Sequence, residues 1–157
     1  FAIITCSDTR TLETDEAGQK LEQLIAEQGW ECVHRVVEMD ERPFIAGALI
    51  DACDNTDADI VLTCGGSGLS LRDVTPEATM AVATRLAPGI AEAIRAASLA
   101  ITPRAMLSRA VSVIRGRTLI VNLPGSPKAV CESMDVFLPQ MPHALGLLRG
   151  EVNDCAR

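Results

Sequence analysis

Short apolar runs and amphipathic stretches alternate along this chain from its first residues, and this alternation restricts the possible folds more than any other feature. Residues 2–6 form an apolar run that predicts a strand. Ala17, Leu21, Leu24 and Ile25 then recur at the spacing of one helix face. Strands that alternate with helices generally pair in parallel, and the helices cover both faces of the sheet. We therefore expect an α/β fold with a mostly parallel sheet and helices on both faces.

The remaining elements are marked by apolar runs, glycines and prolines. Further strands are predicted at 32–37, 59–63, 110–114 and 118–122, and the third and last of the five strands are expected to be central. Thr75 is expected to cap a helix that has Pro76 as its first residue and runs to about residue 84. Other helices are predicted around 45–52, at 88–100, after Ser126-Pro127, and at 142–148 before Gly150. The pattern assigns no structure to residues 105–109.

Length and charge limit the kind of protein. A chain of 157 residues fits one ordinary domain, so we expect a single domain over 1–157. Its 14 basic and 21 acidic residues give a net charge of −7, which opposes binding to nucleic acid or to an anionic membrane. A phosphate ligand therefore requires local positive groups.

The sequence also indicates a cytoplasmic location. It contains no apolar run of the roughly 18–20 residues that span a bilayer, and its first residues lack the features of a signal peptide. The six cysteines, including Cys64 and Cys155, have no metal-site or dithiol spacing. We expect them to pack as reduced thiols, with Cys64 of interest only because it adjoins a glycine cluster.

That glycine cluster, Gly65-Gly66-Ser67-Gly68, is the sharpest local feature. It follows a predicted strand, and such a loop can present successive backbone N–H groups to phosphate oxygens. The alternative is a tight turn in which glycine only supplies positive φ. Position 71 is Leu71 and no Gly-Lys-Ser/Thr occurs, so neither a dinucleotide-binding fingerprint nor a P-loop is supported.

Two aspartates could hold a metal ion beside this loop. Asp73 follows Arg72 shortly after the glycines, and Asp40 follows the second predicted strand. Mg²⁺ takes few protein ligands and bridges phosphate oxygens, so a pair of carboxylates suits it. The alternatives are that Asp73 is a turn residue and that Asp40 caps the next helix.

A second loop, Asn122-Leu123-Pro124-Gly125-Ser126-Pro127-Lys128, again leads from a strand into a helix. Lys128 could offer a charge to phosphate, or it could simply be solvated. In open parallel sheets, ligands bind beyond the carboxyl ends of the strands, where this loop, the glycine loop and Asp40 would all lie.

Taken together, the glycine loop, Arg72-Asp73-Val74-Thr75-Pro76-Glu77-Ala78, Leu107-Ser108-Arg109 and the second loop resemble the MogA/MoaB family of molybdopterin-binding proteins. The match covers nearly the whole chain and is closest to the adenylyltransferase branch; the G domain of gephyrin is similar. The family usually has Thr where this chain has Ser67, a change that keeps the hydroxyl group.

The resemblance implies a trimeric α/β protein that transfers AMP from ATP to the phosphate of molybdopterin and releases pyrophosphate. It implies catalytic and Mg²⁺-binding roles for Asp40 and Asp73. Substrate-binding roles are expected for the following residues: Ser7, Asp8, Gly65, Gly66, Ser67, Gly68, Arg72, Thr75, Ser108, Pro124, Gly125, Ser126 and Lys128. Ser108 matches a serine on the molybdopterin side.

Two other functions stay open from the sequence. The first is a module of the same fold that binds molybdopterin, or acts as a scaffold, without transferring AMP. The second is a hydrolase of a nucleotide pyrophosphate. A molybdenum insertase is a possible partner.

Overall fold

One six-stranded sheet organises the computed structural model, which describes residues 1–151. The strands are β1 (Ala2–Cys6), β2 (His34–Glu38), β3 (Ile60–Cys64), β4 (Arg85–Leu86), β5 (Ser112–Arg115) and β6 (Thr118–Leu123). Their order in the sheet is β2-β1-β3-β6-β5-β4. β1 pairs in parallel with β2 and β3, and β3 pairs in parallel with β6; β5 runs antiparallel to both of its neighbours, β4 and β6. The predicted mostly parallel sheet is confirmed.

Helices pack on both faces of this sheet, as predicted. They are α1 (Glu16–Glu27), α2 (Arg42–Asn55), α3 (Thr75–Val82), α4 (Pro88–Ile101), α5 (Pro127–Phe137) and α6 (Met141–Arg149). One apolar core joins the sheet to α1, α4, α5 and α6, and contains Leu21, Ile94 and Met134. A second core joins the opposite face to α2 and α3, and contains Leu49 and Val82.

The two strands that were expected to be central are central. Every residue of β3 and β6 is buried, and β3 lies between β1 and β6. Residues of β3 alternate between the two cores: Ile60 and Leu62 face the first and Val61 faces the second. Because β1, β2, β3 and β6 are parallel, their carboxyl ends meet at one edge of the sheet, and the loops that follow them converge there.

The start of α3 differs from its prediction. The capping position is occupied by Val74, and Thr75 is the first helical residue, so Thr75 does not cap the helix. The helix ends at Val82 rather than near residue 84, because Thr84 donates its N–H to Ile114 and leads into the edge strand β4. A short 3-10 helix, Pro103–Leu107, overlaps the segment 105–109 to which the sequence pattern assigns no structure.

The local signals at other helix ends are confirmed. Ser126 caps α5 by accepting a hydrogen bond from the N–H of Ala129. Gly29 and Gly150 both have positive φ just beyond the ends of α1 and α6. Within residues 1–151 the cysteines are free thiols, whereas Cys155 lies outside the described residues.

No helix in the described part of the chain combines the length and apolar character needed to cross a membrane.

Candidate functional site

A cavity of about 470 Å³ opens where the loops after β3 and β6 meet α4 and the short 3-10 helix. Of the fifteen residues expected to bind substrate or metal, eight line this cavity. The lining residues among those predicted are Gly65, Gly66, Ser67, Gly68, Asp73, Ser108, Pro124 and Gly125. The structure therefore brings the glycine loop, the second loop and the 107–109 segment to one place.

The other predicted residues lie outside the cavity wall. Ser126 caps α5. The side chain of Lys128 is exposed, and its Nζ lies 3.8 Å from a carboxylate oxygen of Glu132. Ser7 accepts hydrogen bonds from the N–H groups of Thr9 and Arg10 within its own turn. The side chains of Ser7, Ser126 and Lys128 therefore contact neighbouring residues or solvent and do not line the cavity.

Glycine is required at three positions of these two loops. Gly65 and Gly66 have φ of +93° and +63°, a region that favours glycine. A Cβ on Gly65 would lie 2.7 Å from the carbonyl oxygen of Cys6, and one on Gly125 would lie 3.2 Å from the Cα of Gly65. Side chains at Gly65 and Gly125 would push the glycine loop away from β1 and from the second loop. Positive φ, which the alternative interpretation gave as the reason for glycine, is therefore one of two reasons for glycine here.

Three successive carbonyl groups of the glycine loop are held by hydrogen bonds. The carbonyl oxygens of Gly66 and Ser67 accept hydrogen bonds from the N–H groups of Thr75 and Arg109, at 3.0 and 2.9 Å. The carbonyl of Gly68 accepts from Nε of Arg109 at 2.7 Å. In a planar trans peptide the following N–H points away from the carbonyl. The N–H groups of residues 67–69 therefore point away from these donors, and none of them donates to another described residue.

The loop leaves several N–H groups without partners, but not that of Gly65, which is among the residues expected to bind substrate. The N–H of Gly65 donates to the carbonyl of Leu123 at 3.1 Å and is not available to a ligand. The N–H groups of Ser67, Gly68 and Leu69 have no partner among the described residues. Successive backbone N–H groups in a turn can form a concave anion site.

Asp40 and Asp73 both lie against this loop. One carboxylate oxygen of Asp40, Oδ1, lies 3.1 Å from the position of a Cβ on Gly66, and Oδ2 of Asp73 lies 2.8 Å from that of a Cβ on Gly68. Oδ2 of Asp73 also accepts the N–H of Ser70 at 2.9 Å, so Asp73 closes a turn as well as lining the cavity. Both carboxylates thus lie beside the glycine loop.

Asp40 does not cap α2, because the capping position belongs to Glu41. Its Oδ2 accepts the N–H of Asp8 at 3.2 Å, and its own N–H donates to Oδ1 of Asp8 at 3.1 Å. Oδ1 of Asp40 is buried without a hydrogen-bond partner among the described residues. Burial, followed by the charges of Asp8 and Asp73, raises the pKa of Asp40 above its usual range. A positive group at this point would relieve the repulsion.

Arg72 occupies the rim above these carboxylates. Its Nε and Nη2 donate to Asp8 at 3.0 and 2.8 Å, and its Nη1 donates to Glu41 at 2.7 Å. The guanidinium hydrogen bonds hold the pKa of Asp8 below its usual range. In this state the charge of Arg72 is therefore directed to the loops after β1 and β2, and not into the cavity.

The residues fit a hard divalent cation. Mg²⁺ prefers oxygen ligands and typically uses one or two carboxylates plus substrate phosphates. The described residues contain no cluster of three or more metal-binding side chains, but Asp40 and Asp73 supply such a pair. The buried, unpartnered Oδ1 of Asp40 is the type of atom that a cation or its water would satisfy.

Thr75, expected to bind substrate, is fully buried behind the loop. Its Oγ1 lies 2.3 Å from the position of a Cβ on Gly66 and has no satisfactory hydrogen-bond partner in the described chain. The Cys6 thiol adjoins it, but a thiol is only a weak partner; burial raises the pKa of Cys6 to about 12. Thr75 therefore supports the loop from behind.

We expect Thr75→Val to leave the free energy of unfolding almost unchanged, because it removes a hydroxyl that makes no good hydrogen bond. The matched control is Thr79→Val on the same helix. Thr79 Oγ1 accepts from Nδ2 of Asn122 at 2.9 Å, and its loss should cost about 1–3 kcal/mol. Chemical denaturation of both variants tests this; equal losses would contradict it.

Sequence reasoning assigned no role to three arginines near the cavity. Arg95 and Arg104 line it, and Arg109 binds the backbone of the glycine loop. Arg109 belongs to the motif at 107–109, but its partners lie 32–41 residues away in sequence. No local pattern gives such contacts.

Comparisons with known proteins show the family of the chain. A family described as "Probable molybdopterin binding domain" matches residues 2–143. A molybdopterin adenylyltransferase of Helicobacter pylori is 37% identical over 155 residues, covering 96% of this chain and 88% of the relative. Molybdenum cofactor biosynthesis protein B of Bacillus cereus is 39% identical over 144 residues, covering 90% and 85%.

Among solved structures, the molybdopterin biosynthesis enzyme MoaB of Thermus thermophilus superposes with a TM-score of 0.86. It is 42% identical, and the match covers 95% of each chain.

Proposed function

The chain belongs to the family of probable molybdopterin-binding domains, and on this basis we propose that it transfers AMP from ATP to the terminal phosphate of molybdopterin. The bond formed joins an oxygen of the molybdopterin phosphate to the α-phosphorus of ATP. The bond broken is the one to the leaving pyrophosphate. The similarity to adenylyltransferases over 96% of the chain supports this nucleotidyltransferase activity.

One observation carries the proposal: the glycine loop has N–H groups at residues 67–69 without partners among the described residues, and it is contacted by Asp73 on the cavity wall and by Asp40 outside that wall. The N–H groups of residues 67–69 suit the phosphate chain of ATP. The cavity extends from them to Ser108 and α4, which leaves room for the second substrate. The two substrates can therefore meet at the glycine loop.

The reaction requires little from a protein base. The attacking phosphate oxygen is already an anion, so catalysis depends on alignment of the reactants and on compensation of charge at the transferring group. The N–H groups of residues 67–69 orient and stabilise the phosphates. Asp73 and Asp40 would hold Mg²⁺, which supplies positive charge to the phosphate oxygens. Arg72 binds Asp8, and Lys128 is exposed to solvent near Glu132. The backbone N–H groups are therefore expected to contribute more to phosphate binding than these two side chains do.

The organisation of the active protein is part of the proposal. Residues 1–157 act as one domain, and the protein works in the cytoplasm as a homotrimer, as the resemblance implies. A molybdenum insertase is the partner that would receive the product. Sedimentation analysis of the purified chain tests the trimer.

Product identification tests the activity. The protein is incubated with ATP, Mg²⁺ and molybdopterin, and the products are analysed by mass. Adenylylated molybdopterin with an equal amount of pyrophosphate is expected. Bound but unmodified molybdopterin would favour the binding module, and free AMP would favour the hydrolase; either result would reject the transferase.

A further inference from the structure

Arg109 makes four contacts to one short stretch of chain. Its backbone N–H donates to the carbonyl of Ser67 at 2.9 Å, and its Nε donates to the carbonyl of Gly68 at 2.7 Å. Its Nη2 donates to the carbonyl of Asp73, and its Nη1 donates to the carboxylate of Glu77 on α3. One residue therefore holds both ends of the loop from 67 to 73.

These contacts fix the directions in which the loop presents its own donors. The carbonyls of Ser67 and Gly68 belong to the same peptide groups as the N–H groups of Gly68 and Leu69. Because each peptide is planar, a carbonyl that is held by Arg109 forces its partner N–H to point the opposite way. Arg109 thus orients two of the three donors in the proposed phosphate cradle.

The same contacts hold Asp73. Its carbonyl is bound by Arg109, and its N–H and carboxylate close the turn with Ser70 at 3.0 and 2.9 Å. The loop has no large buried anchor of its own, since Leu69 and Leu71 are 63% and 99% exposed. Its conformation therefore depends on polar contacts, and Arg109 supplies several of them.

Arg109 is itself held in place by Arg95 of α4. Arg95 donates from Nε to the carbonyl of Ser108 at 3.1 Å, and from Nη2 to that of Ala110 at 2.7 Å. These carbonyls flank Arg109 in sequence. The planar guanidinium fork suits such fixed pairs of acceptors better than an ammonium group does.

We propose that Arg109 is a positioning residue that presets the glycine loop and Asp73 for phosphate binding, without touching the substrate. It acts through backbone carbonyls, and its guanidinium is occupied before any ligand arrives. The inference rests on the proposed function for its effect on AMP transfer, but its structural part concerns the free protein.

Hydrogen exchange of the free protein tests the structural part. In Arg109→Lys, which keeps the charge and the backbone N–H but loses the fork, the amides of Ser70 and Asp73 should exchange at least about tenfold faster. The control is Arg117→Lys, an exposed arginine in the β5–β6 turn at the opposite end of β6. In Arg117→Lys, the amides of Ser70 and Asp73 should exchange at the same rate as in the unmodified protein. Unchanged exchange in Arg109→Lys would overturn the proposal, whether or not AMP transfer is found.

Chemical rescue tests how Arg109 acts. Arg109→Lys should raise the KM for ATP and lower kcat, and free guanidinium should restore part of the activity of Arg109→Ala, whereas ammonium at equal ionic strength should not. Thermal unfolding checks that each variant folds. Lost activity in Arg109→Lys with exchange at Ser70 and Asp73 as in the unmodified protein would overturn the positioning role and indicate direct substrate contact.

Discussion

Asp73→Asn is expected to lower the rate of AMP transfer by at least about a hundredfold while the fold is retained. The carboxylate lines the cavity beside the glycine loop, and asparagine removes the negative charge that would hold Mg²⁺. The fold should survive because the amide oxygen of asparagine can still accept the N–H of Ser70. Pyrophosphate release with ATP, Mg²⁺ and molybdopterin measures the effect.

The matched control for this prediction is Asp135→Asn. Asp135 is exposed on α5 and does not line the cavity, so the same change of charge there should leave the rate unaltered. Equal thermal midpoints of unfolding for the two variants would show that the loss is chemical. An unchanged rate in Asp73→Asn would remove Asp73 from the mechanism.

Gly65→Ala is expected to destabilise the protein by about 3 kcal/mol, because it combines an unfavourable positive φ with a clash. The added Cβ would lie 2.7 Å from the carbonyl oxygen of Cys6, a backbone atom in β1 that cannot turn aside. Relief would require the loops after β1, β3 and β6 to separate. Denaturant unfolding measures the loss, and nucleotide binding should weaken with it.

Gly47→Ala provides the contrast for Gly65. Gly47 lies within α2, and a Cβ there meets nothing within 4 Å. Alanine should therefore raise the free energy of unfolding by about 0.5–1 kcal/mol through its higher helix propensity. If both alanine variants lost stability equally, the contact of Gly65 with β1 would not be the cause.

The sequence predicted those parts of the fold that leave a local pattern. The apolar run within 59–63, followed by the glycine cluster, predicts a central strand, and Ser126-Pro127 predicts the start of a helix; both are confirmed. Thr75 carries the same cap-then-proline pattern, yet the cap is Val74. The N–H of Thr75 donates to Gly66, and this contact within the site outweighs the local preference.

The candidate site was predictable only in part for the same reason. The glycine loop and Asp73 are near each other in sequence, so their association could be expected. The partners of Arg72 and Arg109 lie 31–64 and 32–41 residues away, and only the fold shows that one guanidinium binds carboxylates and the other binds the loop. Long-range polar contacts of this kind have no periodicity in the sequence.

A crystal structure with Mn²⁺ and a non-hydrolysable ATP analogue would locate both the metal ion and the phosphates, because anomalous scattering identifies the ion. We expect an ion within about 2.5 Å of carboxylate oxygens of Asp40 and Asp73, with phosphate oxygens on the N–H groups of residues 67–69. An ion bound by neither carboxylate, or phosphates bound away from the glycine loop, would contradict this expectation.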